Sequence, residues 1–304
     1  MSLPTEADPD RQIPMPFAAA DAYALDVMRW ARELDSARAA DGVASNMNVQ
    51  RDVPYGPHRL HRYNVFSPTD SRSNARNAPV LVCWHGGGWT NGYRDYVTFM
   101  APHVVAMGCV LVAPSYRLVG EARLPAAFDD SLLMLTHVVK HVAQWGGAPD
   151  RLILSGHSAG AHLAALVALR TADCQRAGVP DGAVRACMPV SGIMDLHHPA
   201  PLPGSLEERV YTLVLEDALQ DAVMSPICWT AGNRVPFDLS CGEHDGERVR
   251  RSNRRMAVLL KCQPAPVSLH IAPGQDHFQT HTCLRDASDP WYQRLAGVIE
   301  AHAS

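Results

Sequence analysis

From Pro79 onward the chain alternates short apolar runs with longer stretches in which apolar residues return every three or four positions. The short runs, at 80–84, 110–113, 152–155, 186–190, 237–241 and 267–271, predict strands. Their near-continuous apolar character is that of strands covered on both faces. Between them Phe128, Leu132, Leu135, Val139 and Val142 recur at helical spacing, as do Trp291, Leu295, Val298 and Ile299, and both sets predict covering helices. Strands alternating with helices make βαβ units. The expected class is therefore α/β, with a mostly parallel central sheet flanked by helices on both faces.

Two segments fall outside this rhythm. In the first, Tyr23, Val27, Trp30 and Leu34 mark one face of an expected N-terminal helix, and a hairpin-like stretch follows at 59–66. The second spans 195–226 and carries a proline-rich piece from His198 to Gly204. Each reads equally as a cover over a site or as an edge elaboration. The stretch 67–77 predicts an exposed loop.

Composition narrows the function classes. A formal net charge of -4 gives no basic footprint for nucleic acid or an anionic membrane. No apolar run approaches the length that spans a bilayer, and residues 1–11 lack the basic and apolar regions of a secretory signal, so a cytoplasmic protein is expected. The eight cysteines form no CxxC pair and several lie in strand-like runs; buried free thiols are the expectation. His197 and His198 are adjacent rather than spaced as metal ligands, so neither a metal nor another cofactor is expected.

The chemistry concentrates in a few strand ends. The run at 152–155 leads into Gly156, His157, Ser158, Ala159 and Gly160 and then an alanine-rich helical stretch, the strand–turn–helix setting of a G-x-S-x-G nucleophile. Side chains at Gly156 or Gly160 are expected to collide with neighbouring backbone in so tight a turn. The Ala159 amide, opening the helix, is a candidate donor to a developing oxyanion. Upstream, His85, Gly86, Gly87, Gly88 and Trp89 directly follow the strand at 80–84. Consecutive glycines let main-chain amides approach a substrate oxygen, which makes Gly86 and Gly87 the other candidate donors. His85 is expected to brace this loop through hydrogen bonds, and Trp89 to pack a substrate group or serve as core wall.

A serine hydroxyl needs a neighbouring base, and imidazole is neutral enough near pH 7 to serve; a carboxylate then fixes its tautomer. His277 follows the strand at 267–271, and Asp245 follows the strand at 237–241. Glu243 and Asp276 are rival carboxylates, with Asp245 deeper in its loop and Asp276 poorly placed to reach the ring beside it. His157 and His162 flank the nucleophile. Either lines the pocket, with His157 a candidate substrate contact, or satisfies a core hydrogen bond.

These motifs over residues 79–300 resemble the α/β-hydrolases, in particular hormone-sensitive-lipase-like esterases and the related kynurenine formamidases. His85 to Trp89 is similar to the HGGGW loop of that group, and Ser115 to Leu118 with Leu124 to Asp130 resembles its YRL and PAA..D segment. The stretches Gly156 to Leu163 and Ser191 to Leu196 are similar to formamidase segments, while Gly242, Glu243, His244 and Asp245 stand where the esterases carry DPL.D. The resemblance implies an α/β-hydrolase fold with small cap or lid elaborations: residues 1–50 as a helical segment and candidate cap, and 51–304 as a catalytic domain with a candidate lid at 195–226. It implies a serine hydrolase acting on a small-molecule ester or N-formyl arylamide. A short-chain carboxylesterase without formamidase activity and a non-catalytic small-molecule binder are the alternatives, and a homodimer stays open.

Overall fold

In the computed structural model the described residues are 12, 18–40, 47–69 and 77–302, with the side chains of 38–40 excepted. Residues 1–11 and most of the expected loop at 67–77 lie outside them. Eight strands pair in one sheet: β1 Met47–Pro54, β2 Arg62–Pro68, β3 Ala78–Trp84, β4 Val110–Pro114, β5 Gly147–His157, β6 Val184–Val190, β7 Phe237–Gly242 and β8 Val267–Ala272. Their order is β1-β2-β4-β3-β5-β6-β7-β8; β1 and β2 run antiparallel to their neighbours and β4 through β8 are parallel. The helices are α1 Ala18–Ala40, α2 Ala101–Ala106, α3 Ala126–His141, α4 Ala159–Leu169, α5 Thr171–Ala177, α6 Leu206–Arg209, α7 Glu247–Lys261, α8 Gln279–Thr282 and α9 Pro290–Ala301.

Alternation along the strands divides the core into two layers. Val80, Val82, Leu152 and Leu154 pack toward α3, α4 and α7, whereas Leu81, Cys83, Ile153 and Met188 pack toward α1, α2 and α9. Since β3, β4 and β5 are buried along most of their length, an apolar residue is favoured at every position and the runs lose any polar period. Helix α4 has no polar stripe because all eleven of its residues are buried.

All six expected strands fall inside β3 to β8, with differences at the periphery. Every residue of β8 is partly exposed, because it is the sheet's edge and has a neighbour on one side only. The hairpin expected at 59–66 is larger: β1 pairs with β2 and residues 55–61 connect them. Strand β1 escapes a hydrophobic reading because Met47 alone of its residues is buried. Helix α7 escapes it too, since its core stripe is short and partly polar, Val249, Ser252, Asn253, Met256, Ala257 and Leu260, set among arginines. Of the cysteines, Cys83, Cys109, Cys174, Cys187 and Cys241 are buried, but Cys228 and Cys262 are exposed and Cys283 is intermediate. The exposed two lie in a short turn and at the end of α7, outside the strands that bury the rest. Among the described residues no helix is long and apolar enough to cross a membrane.

The load on the central strands is measurable. Replacing Leu154, fully buried in β5, with alanine should lower unfolding stability by about 2–5 kcal/mol. Replacing Leu219, 85% exposed, should change it by less than about 0.5 kcal/mol in the same denaturant titration.

Candidate active site

Parallel strands end on one edge of a sheet, so the loops after β3, β5, β7 and β8 gather there. At the end of β5 the chain turns through Ser158, with φ 55° and ψ −116°, straight into α4. That conformation costs about 1–3 kcal/mol for a residue with a side chain and persists only where the surroundings enforce it. The enforcement is visible. The Ser158 amide donates to the Val190 carbonyl at 3.0 Å. A Cβ on Gly156 would come to 2.5 Å from the Gly160 carbonyl carbon and 2.8 Å from the Trp84 oxygen, and one on Gly160 would collide with the carbonyl oxygens of Trp84 and His85. The turn therefore rests directly on the backbone of the glycine loop, and Ala159 presents the first amide of α4 beside the serine.

The side chains of Ser158, His277 and Asp245 meet. His277 Nε2 lies 2.9 Å from Ser158 Oγ, and its Nδ1 lies 2.6 Å from Asp245 Oδ1. Strands β7 and β8 pair through Gly242 and Ala272, which brings their following loops together. Asp245 is buried, and its other oxygen accepts from Ser191 Oγ at 2.6 Å and from the Gly242 amide at 2.9 Å. Burial pushes its pKa up, but the hydrogen bond and charge of His277 and the Ser191 and Gly242 donors outweigh it and hold the carboxyl below its usual range. The rivals point elsewhere: Glu243 accepts from the Gly274 amide at 2.8 Å, and Asp276 caps the next turn through the amides of Phe278 and Gln279.

The glycine loop lies against the serine. A Cβ on Gly86 would stand 3.4 Å from Ser158 Cβ, and Gly87, at φ 120°, accepts at its carbonyl from the amides of Thr90 and Asn91. A side chain at Gly87 would overlap the Asn91 carbonyl, so the turn demands glycine there. His85 braces the loop: its Nδ1 bonds to the Gly86 carbonyl at 2.7 Å, its ring stacks on Tyr116 at 4.4 Å, and Tyr116 donates to the His85 carbonyl at 3.1 Å. Burial lowers the His85 pKa to about 4, which keeps it neutral.

A cavity of about 330 Å³ opens over Ser158 and His277. Gly87, Gly88, Trp89 and His157 line it; Tyr23, Tyr96 and Phe278 contribute an aromatic cluster, with the Tyr23 ring 5.8 Å from Tyr96 and 5.1 Å from Phe278; Ile193, Val210, Val214 and Val249 add aliphatic groups. Residues of α1 and of 206–214 thus share in the lining. Trp89 is buried and meets the His162 ring edge-on at 5.0 Å. His162 Nε2 donates to the Met224 carbonyl at 2.6 Å, a core hydrogen bond that ties the 195–226 segment to α4. His157 reaches the cavity wall while its Nε2 donates to the His277 carbonyl at 2.7 Å.

Sequence reasoning did not single out Ser191 and Thr280, whose hydroxyls lie 2.8 Å apart behind the carboxylate, nor Tyr23 and Phe278. Ser191 carried two local signals, its place directly after an expected strand, where it adopts φ 50°, and its membership of a formamidase-like segment. Tyr23 was marked only as part of the face of an expected helix, and Thr280 carried no signal, because their contacts depend on elements distant in the chain.

The family model named BD-FAE matches residues 64–252, more than half of the 304. This chain belongs to the BD-FAE family. Among proteins similar to this BD-FAE member is Esterase LipQ of Mycobacterium tuberculosis, 30% identical over 237 residues that are 74% of this chain and 56% of LipQ. Kynurenine formamidase of Danio rerio is 26% identical, over 75% of this chain and 74% of that protein. Carboxylesterase NlhH of Mycobacterium tuberculosis is 32% identical, over 55% of this chain and 54% of NlhH. The chain thus spans little more than half the length of LipQ and NlhH. Phosphonate-inhibited Esterase B from Lactobacillus rhamnosis superposes with a TM-score of 0.72 at 20% identity, over 92% of this chain and 95% of that one. The fold is that of the α/β-hydrolases.

Replacing Gly160 with valine should prevent the turn from forming beside Trp84 and His85, at a cost above about 3 kcal/mol in a chemical denaturation series. For Asp245 the folded-state pKa is depressed, so its stabilisation is complete above the ordinary aspartate value and is lost as pH falls through the folded one. Wild type should consequently lose more stability than Asp245→Asn as pH is lowered below about 4, read as the change in denaturant midpoint.

Proposed function

We propose that this chain is a serine hydrolase that cleaves a small carboxylic ester through an acyl-enzyme on Ser158, with His277 as general base and Asp245 orienting it. The observation that carries the reading is the continuous hydrogen-bonded path from Asp245 through His277 to Ser158, at 2.6 and 2.9 Å, under an apolar cavity. The esterase names of LipQ and NlhH agree with it.

In the proposed reaction Ser158 Oγ attacks the ester carbonyl carbon while its proton passes to His277 Nε2. Asp245 keeps Nδ1 protonated, leaving Nε2 as the acceptor, and then stabilises the imidazolium. Negative charge gathers on the former carbonyl oxygen, toward the amides of Gly86, Gly87 and Ala159. Donors fixed beforehand need no reorganisation when that charge appears, which is the main source of rate. Collapse breaks the bond to the leaving alcohol, which takes the proton from His277. A water then gives its proton to His277 and attacks the acyl carbonyl, and collapse breaks the bond to Ser158 Oγ, which takes that proton back from His277 as the acid leaves. In this reading α1 and 195–226 cover the cavity and exclude bulk water from the oxyanion.

A second substrate class, an N-formyl arylamide, is favoured by the aromatic cluster of the cavity, Tyr23, Tyr96 and Phe278, and by the similarity to kynurenine formamidase. The bond order is the same with an arylamine leaving. Comparing kcat/KM for N-formylkynurenine and for short p-nitrophenyl esters separates the two, and ester turnover without deformylation rejects the second.

Ser158→Ala should lower kcat for p-nitrophenyl acetate by at least about 10⁴-fold with an unchanged circular dichroism spectrum, and should abolish labelling by a fluorophosphonate probe. Turnover retained in that variant would remove Ser158 as the nucleophile, and wild-type protein that neither labels nor turns over esters would leave a small-molecule binder instead.

A further inference from the structure

His157 touches three parts of the site without belonging to the relay. It precedes Ser158 at the end of β5, and its Nε2 donates to the main-chain carbonyl of His277 at 2.7 Å. A carbonyl oxygen only accepts, so the ring hydrogen is on Nε2 and Nδ1 carries a lone pair. Nδ1 lies against the glycine loop, where a Cβ on Gly86 would come to 3.0 Å from it, and it has no hydrogen-bond partner among the described residues. One face of the ring stacks on His281, with centroids 4.8 Å apart and planes 7° apart. His281 is held in turn by the Tyr23 hydroxyl of α1 at 2.9 Å. Packing therefore fixes the ring's plane and leaves a single directed hydrogen bond, aimed at the backbone of the base.

That bond has a particular mechanical place. Among the described residues the strand pairing nearest His277 ends at Ala272, one further main-chain bond runs from the His244 amide to the Gln275 carbonyl at 2.9 Å, and the helix that follows, α8, has four residues. The His277 carbonyl accepts from two side chains, Thr280 Oγ1 at 2.8 Å and His157 Nε2. Thr280 belongs to the same loop, its hydroxyl also lying 2.8 Å from Ser191 Oγ after β6, whereas His157 lies in the central strand that carries the serine. We infer that His157 is a positioning residue that couples the loop bearing His277 to the strand bearing Ser158 and so keeps the imidazole in line between Asp245 and the serine. The inference rests on the functional reading of Ser158 and His277 given above. Burial, with the imidazoles of His281 and His277 nearby, holds the His157 pKa well below the usual range, so the tie persists when His277 is protonated during turnover.

Steady-state kinetics with p-nitrophenyl acetate test the inference against the wild type and Ser158→Ala. His157→Phe keeps the ring volume and removes the donor; a base displaced by about 1 Å costs about a hundredfold, so kcat should fall about 10- to 100-fold with KM within about twofold. His157→Gln, whose side-chain amide can donate to the same carbonyl, should recover most of that loss. If the phenylalanine variant does not fold, His157→Asn, too short to reach the carbonyl, takes its place against His157→Gln. A kcat for the donor-free variant within about threefold of wild type, or equal to that of the glutamine variant, overturns the positioning role while leaving the hydrolase reading intact. A wild type with no turnover, or one no faster than Ser158→Ala, overturns both.

Discussion

The close approach of the Ser158 turn to the glycine loop is the contact on which the site depends. With no side chain at Gly156 and Gly160, the end of β5 and the start of α4 press against the carbonyls of Trp84 and His85. That contact sets the strained serine beside the glycine loop. In the proposed reaction the two act together, the serine attacking a carbonyl whose oxygen the loop amides would face. The positive φ of Ser158 is affordable because the sheet beneath it is buried on both faces.

Around this fixed centre the other parts are held by a graded set of interactions. Asp245 is the most constrained, with three donors converging on a buried carboxylate, and its depressed pKa reflects them. His277 is less constrained, since it lies beyond the last pairing of an edge strand and depends on side-chain contacts from Asp245, Thr280 and His157. Such a gradient suits the proposed role of His277, a base that would accept and release a proton in each half of the reaction. The walls contributed by α1 and 206–214 are held by core packing, Tyr23, Val27 and Met28 on one side and Val210 and Val214 on the other, and by the Leu124 amide on the Val214 carbonyl at 2.9 Å.

The central part of this architecture was legible because burial on both faces leaves a strong local mark. Strands β3 to β8 were recognisable as apolar runs and the glycine motifs as turns that exclude a Cβ, and both properties belong to short stretches of sequence. Strand β1 and helix α7 were not, since each meets the core with few apolar residues and owes its existence to a neighbour: β1 to its pairing with β2, α7 to its packing on β7 and β8. The expectation of buried thiols failed at Cys228 and Cys262, and in part at Cys283, for a related reason, because exposure depends on what the rest of the chain places nearby.

By itself the sequence determined the α/β class, the order of the strands along the chain and the residue types offered at four strand ends, since these follow from periodicity and from the steric needs of glycine. Only the tertiary structure decided which carboxylate reaches the imidazole. It also decided that Ser191 supports that carboxylate, that Thr280 and His157 both donate to the backbone of His277, and that α1 lines the cavity. Those are distances between residues tens to hundreds of positions apart, set by sheet order and register, and no local pattern encodes them.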